Sequence, residues 1–217
     1  MRPPSQKLRA SALNLAVYRI AVLSTVLLFG LTACGDRAKL EPLPANAVVL
    51  AFGDSLTFGT GANETESYPA QLESLIGRRV VRAGVPGEVT AQALERLPAA
   101  IDEYAPRLLI LCIGGNDFLR RLGNAQAERN VRAMVQLAKS RGIDVFLLGT
   151  PEPALLPSAP AFYGALAKDL SIPYEGGVIT EVLKDTSLKS DPIHPNARGY
   201  RVIAERVAER LKKAGAI

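Results

Sequence analysis

The stretch Ala47-Val48-Val49-Leu50-Ala51-Phe52-Gly53-Asp54-Ser55-Leu56 runs six apolar residues straight into a turn-forming triplet. An apolar run without polar alternation suits a strand covered on both faces, as in a parallel sheet. Comparable runs recur at Val80 to Ala83 (broken by Arg82), at Leu108 to Ile113 and at Val145 to Gly149. Helical patterns lie between them. Pro69 to Ile76 opens on a proline, which a first turn tolerates, and Gly77 stops it. Ala91 to Ile101 is a second helix, with an interruption expected near Pro98. Ala125 to Arg141 stacks Val131, Val135 and Ala138 on one face, and Ala197 to Lys213 aligns Tyr200, Ile203, Val207 and Leu211. Strand and helix alternate throughout, which predicts a three-layer α/β domain. In such sheets, sites form at the C-terminal ends of the strands.

The chain has 217 residues, enough for one domain with a substantial core. Its formal charge of +5 overstates its basicity: Arg2, Lys7, Arg9 and Arg19 fall in the first 33 residues, where there is no acid. The remaining body is nearly neutral, which gives no electrostatic case for nucleic acid. The basic N-terminal stretch is followed by an apolar run from Ile20 to Ala33, shorter than the roughly 20 residues that span a bilayer. It therefore reads as a signal peptide covering residues 1–33. The run ends in Leu31-Thr32-Ala33-Cys34, which resembles a bacterial lipobox, with cleavage before Cys34 and lipid on its thiol. The competing reading is an ordinary signal with an incidental cysteine. Residues 34–46, polar and carrying Pro42 and Pro44, read as a linker, and 47–217 as the domain. By resemblance to sorted lipoproteins of double-membraned bacteria, Gly35 in place of an aspartate favours the outer membrane. Cys112, the other cysteine, sits in an apolar run and reads as a buried, inert thiol; a bridge to Cys34 is the alternative.

The chemistry-bearing residues follow the strands. Ser55, at a strand-to-helix junction, can point its hydroxyl out of the sheet, with backbone donors of the coming turn close by. Asp191-Pro192-Ile193-His194-Pro195-Asn196 precedes the last helix and contains the only histidine. Imidazole is the usual base for a serine hydroxyl, and an acid three residues upstream can reach its other nitrogen. Helix capping would explain Pro195 and Asn196 but does not require His194. Gly114-Gly115-Asn116-Asp117 and Gly84-Val85-Pro86-Gly87 each follow a strand; alone they are loops, yet Asn116 and Gly87 offer amide donors suited to an oxyanion.

Taken in order, these four elements resemble the GDSL or SGNH hydrolase family, in the branch similar to bacterial arylesterases and thioesterase/lysophospholipases. The likeness spans about Val48 to Leu211. The first block, Gly53 to Gly61 (GDSLTFGTG), implies Ser55 as nucleophile with its own N–H in the oxyanion hole. The second implies Gly87, the third (GGND) Asn116, and the last Asp191 and His194. Many relatives carry glycine after the acid, where this chain has Pro192. The resemblance implies a flavodoxin-like α/β/α sandwich and acyl transfer through a covalent intermediate, with a small-molecule or lipid ester as substrate.

Rival readings use the same residues. A carbohydrate or peptidoglycan O-deacetylase would share the triad. The segment from Ala154-Leu155-Leu156 to Phe162-Tyr163 could line an acyl groove or serve packing. A nucleotide-binding module would need Gly59-Thr60-Gly61 to continue to a third glycine, where Glu64 stands. A non-catalytic envelope lipoprotein would have no need of the full set of catalytic residue types. One histidine and one cysteine outside the lipobox make no metal cluster, and no cofactor is expected. No Gly-x-Ser-x-Gly elbow is present, which disfavours the α/β-hydrolase fold.

Overall fold

The strands β1 (Val48–Gly53), β2 (Arg79–Gly84), β3 (Leu108–Cys112), β4 (Asp144–Leu148) and β5 (Tyr174–Glu175) make one parallel sheet in the order β2-β1-β3-β4-β5. This is a computed structural model, and it describes residues 38–154 and 157–217; residues 1–33, read above as a signal peptide, and Cys34 lie outside the described residues. The strand order is that of flavodoxin-like sheets, and it reverses between β1 and β3, which opens a crevice at their C-terminal ends.

The apolar runs are explained by helices on both faces. Leu50, Phe52, Leu109, Leu111, Val145 and Leu147 pack on one side. There they meet α3 (Thr90–Tyr104), α5 (Asn124–Ser140) and α6 (Ala161–Asp169). Val49, Ala51, Leu108, Ile110, Cys112, Phe146 and Leu148 pack on the other. Their partners are α2 (Tyr68–Ile76), α7 (Val178–Lys184) and α8 (Ala197–Ala214). Each fully buried aliphatic or aromatic side chain contributes about 1.5–3 kcal/mol, so both faces of the central strands select against polar residues. Two one-turn helices, α1 (Ser55–Phe58) and α4 (Gly115–Leu119), begin just past β1 and β3, within the crevice.

Two expectations are corrected, and one left open is resolved. The interruption at Pro98 does not occur: α3 runs unbroken past it. Ala93, Leu97, Ala100 and Ile101 are buried against the sheet, and this packing outweighs the hydrogen bond that proline forfeits, a loss of about 3 kcal/mol in an exposed helix. The linker does not extend to Asn46. Leu40 and Leu43 are buried, and their N–H groups donate to Ala214 O at 2.9 Å and Ala216 O at 2.8 Å. Two leucines three residues apart seat this extended segment against the end of α8 and the residues after it. The segment from Ala154 to Tyr163 divides. Tyr163 is core, stacked by Phe162 at 4.1 Å between ring centroids, while Ala154 and Pro157 line the crevice. Cys112 is a free, buried thiol whose pKa burial drives far up, with Asp54 adding to the rise.

Candidate active site

The site is built at the rim where β1 and β3 end. Asp54 caps α1: its Oδ1 accepts from Leu56 N at 3.0 Å. That turn puts Ser55 at the first helical position, where the N–H has no partner within the helix. Among the described residues nothing accepts from the Ser55 N–H. Asp54 is itself 1% exposed. Burial raises its carboxyl to about 7, and the nearby Glu88 and Asp117 push the same way against the Leu56 N–H.

The loop before α8 brings in the other half. Asp191 Oδ1 accepts from Ile193 N at 2.8 Å and His194 N at 2.9 Å, while Oδ2 pairs with His194 Nδ1 at 2.7 Å. A carboxylate at Nδ1 selects the tautomer with hydrogen there, which leaves Nε2 as an acceptor. Nε2 lies 2.9 Å from Ser55 Oγ, across 139 residues of chain. Burial raises the Asp191 carboxyl, but the His194 ring and the two N–H groups outweigh it and hold the group below its ordinary value. Asn196 caps α8 by accepting from Gly199 N at 3.1 Å. An antiparallel bridge between Lys189 and Pro195 closes the base of the loop. Capping and catalytic geometry thus coexist in one loop.

Gly87 and Asn116 face the same crevice, a cleft of about 660 Å³ that Ser55 and His194 also line. Among the described residues the Gly87 N–H has no acceptor, and its carbonyl accepts from Arg120 Nη2 at 2.7 Å. Asn116 Nδ2 donates to Glu88 O at 3.0 Å, which leaves its second amide hydrogen free. The neighbouring Asp117 is buried and accepts from Thr90 N at 2.8 Å and Thr90 Oγ1 at 2.6 Å. The Gly87 loop and the Asn116 turn are therefore tied at three points.

The five catalytic and oxyanion residues read from sequence lie together at this rim, and Cys34 lies outside the described residues. Sequence reasoning missed Arg120, whose bond to Gly87 leaves no mark in the pattern of α4, and the cleft-lining Leu183, Lys184 and Lys189. The last three belong to a helix and a turn too short to announce themselves by periodicity.

A hydroxyl in line with an imidazole and a carboxylate, at the switch point of a flavodoxin-like sheet, puts the protein among the serine ester hydrolases. More narrowly, the chain belongs to the GDSL-like lipase/acylhydrolase family, whose family model matches residues 51–202. It is similar to esterase TesA of Pseudomonas aeruginosa, 30% identical over 199 residues that cover 84% of this chain and 96% of the relative. Thioesterase 1/protease 1/lysophospholipase L1 of Escherichia coli is 31% identical over 172 residues, covering 76% and 83%. The crystal structure of TesA matches with a TM-score of 0.70 at 29% identity, over 77% of this chain and 99% of that one.

Proposed function

We propose that Ser55, His194 and Asp191 form a catalytic triad that cleaves carboxylic esters of extended apolar acyl groups. The observation that supports it most is the unbroken line from Ser55 Oγ to His194 Nε2 (2.9 Å) and from His194 Nδ1 to Asp191 Oδ2 (2.7 Å). Ser55 Oγ attacks the ester carbonyl as His194 takes its proton. Negative charge collects on the carbonyl oxygen, which receives the N–H groups of Ser55 and Gly87 and the side-chain amide of Asn116. His194 returns the proton to the leaving alcohol, and an acyl-Ser55 intermediate remains. Water, deprotonated by the same imidazole, then releases the acid. Asp191 keeps the ring in the productive tautomer and stabilises the imidazolium that forms.

The apolar acyl preference rests on the cleft wall, where Leu56, Leu119, Leu183, Ile193, Pro86 and Pro157 line the cleft into which Ser55 opens. A hydrocarbon chain loses water against such a wall, at about 0.8 kcal/mol per methylene buried. The relatives named esterase, thioesterase and lysophospholipase support an acyl substrate. Rates on acetyl, octanoyl and palmitoyl nitrophenyl esters test the proposal: kcat/KM rises from acetyl to octanoyl. A preference for acetyl esters would overturn the acyl groove and favour an O-acetylesterase. Labelling of Ser55 by a fluorophosphonate tests the nucleophile itself.

The enzyme is further proposed to act in the bacterial envelope, held by lipid on Cys34, with the outer membrane its destination. The basic N-terminus, the short apolar run and Leu31-Thr32-Ala33-Cys34 support this. Incorporation of labelled palmitate that survives Cys34→Ala would refute it.

A further inference from the structure

We infer that Arg96 and Glu88 form a positioning brace that holds the oxyanion donor Asn116 in place, an inference that rests on the role proposed above for Asn116. Glu88 directly follows Gly87, and its side chain is only 5% exposed. Its carboxylate meets the Arg96 guanidinium in a two-pronged pairing, Nε to Oε1 at 2.8 Å and Nη2 to Oε2 at 2.6 Å. The same Nη2 donates to Ala83 O at 3.2 Å and reaches Gly53 O at 3.4 Å. The guanidinium carbon also lies 3.9 Å from the centroid of the Phe52 ring. One side chain on α3 therefore touches the C-terminal ends of β1 and β2 and the residue after Gly87. The main-chain oxygen of Glu88 completes the link by accepting from Asn116 Nδ2 at 3.0 Å. That bond occupies one amide hydrogen and fixes the plane in which the other must lie.

A purely structural account explains this pair poorly. Removing two charges from water offsets most of their attraction, so an apolar pair of equal volume would stabilise the same spot as well or better. A planar fork supplies direction, which apolar contact does not: two parallel N–H···O bonds orient the Glu88 side chain and thereby the peptides on either side of it. One of those peptides carries the Glu88 oxygen that aims Asn116. Catalysis by fixed dipoles depends on such orientation, because donors already in position need not reorganise as charge develops.

The test is a kinetic cycle on a short-chain nitrophenyl ester with Arg96→Met, Glu88→Gln, Asn116→Ala and the double variant Arg96→Met/Asn116→Ala. Competent enzyme is counted by fluorophosphonate titration, which removes the effect of unfolded protein. Arg96→Met and Glu88→Gln are each expected to lower kcat about tenfold or more with KM within about twofold, the pattern of a lost transition-state interaction. In the Asn116→Ala background, Arg96→Met should change kcat by less than about twofold, because residues acting through one group are not additive. Arg96→Lys keeps the charge and the fold but not the fork, and should lose nearly as much as Arg96→Met. A full tenfold loss persisting without Asn116 overturns the brace, as does unchanged kcat in Arg96→Lys. If Asn116→Ala alone keeps full kcat, the oxyanion role of Asn116 fails first, and that result is read from the single variant.

Discussion

Asp191 and His194 are joined twice: the carboxylate accepts from the His194 main-chain N–H at 2.9 Å and pairs with the ring Nδ1 at 2.7 Å. The first bond shapes the loop and the second orients the imidazole, and different oxygens serve the two. Asp191→Asn preserves an oxygen for the backbone bonds but loses the charge and the tautomer. The expected outcome is a fall in kcat of about 10⁴-fold with little loss of fold, as replacing the acid of a serine triad with its amide produces elsewhere. Steady-state kinetics beside a thermal melt check both halves. Because Asp191 is held below its ordinary 3.8, it stays ionised at any higher pH. Its stabilising share is present above that value and fades only as pH falls through the lowered one. The wild-type rate should therefore show no step from Asp191 in weak acid.

Ser55→Ala removes the attacking oxygen and leaves the oxyanion donors and cleft in place. Hydrolysis of a nitrophenyl ester should drop by about 10⁴-fold or more, the residual rate coming from binding and oxyanion contacts. The melting temperature should stay within a few degrees, since Ser55 is only partly buried and its hydroxyl bonds no core group. Retention of fluorophosphonate labelling in this variant would remove Ser55 as the nucleophile.

What could be read from sequence followed burial. β1, β3 and β4 are covered on both faces, so each left an unbroken apolar run. β5 is two residues, Tyr174–Glu175, and leaves no run at all. α6 follows a proline-rich segment and buries only Tyr163, Leu166 and Ala167, too few for a clear period. Leu40 and Leu43 stood alone in a polar stretch, and nothing local says that the end of α8 receives them. Ser55 and His194 were legible because one follows a strand, the other precedes a helix, and the histidine has no rival. Glu88 and Arg96 were not. Eight residues apart on an amphipathic segment, an acid and a base look like ordinary surface charges until the fold buries the acid and pairs the two.

Asp54 gives the stability of the domain a pH dependence of its own. Its carboxyl rises from an ordinary 3.8 to about 7 in the folded protein, mainly through burial. The native state then binds more protons than the unfolded chain between those values, so stability is full below 3.8 and declines as pH rises through about 7. The interval corresponds to a cost on the order of 4 kcal/mol above the upper value. Asp54→Asn keeps an oxygen for the Leu56 N–H and carries no charge. The expected result is a melting temperature that falls less between mildly acidic and alkaline buffer than that of the wild type. Parallel slopes for the two proteins would show that Asp54 ionises without penalty.

Gly61 is where the first motif touches the loop of the last. Its φ is +97°, and a Cβ there would lie 2.1 Å from Ser190 Oγ and 2.5 Å from Pro195 O. Both atoms flank His194, so Gly61→Ala must displace the segment that carries the imidazole. A misplacement of about 1 Å at a reacting group can cost on the order of a hundredfold in rate, and the left-handed backbone adds about 1–2 kcal/mol of strain. Gly77→Ala separates these effects: it also has a positive φ, +60°, but nothing lies within 4 Å of the added carbon. Both variants should lose stability, and only Gly61→Ala should lose kcat out of proportion to its melting temperature. Equal kcat in the two variants would mean that the His194 loop tolerates the extra carbon, and that its position is held by Asp191 and the cap of α8 without support from Gly61.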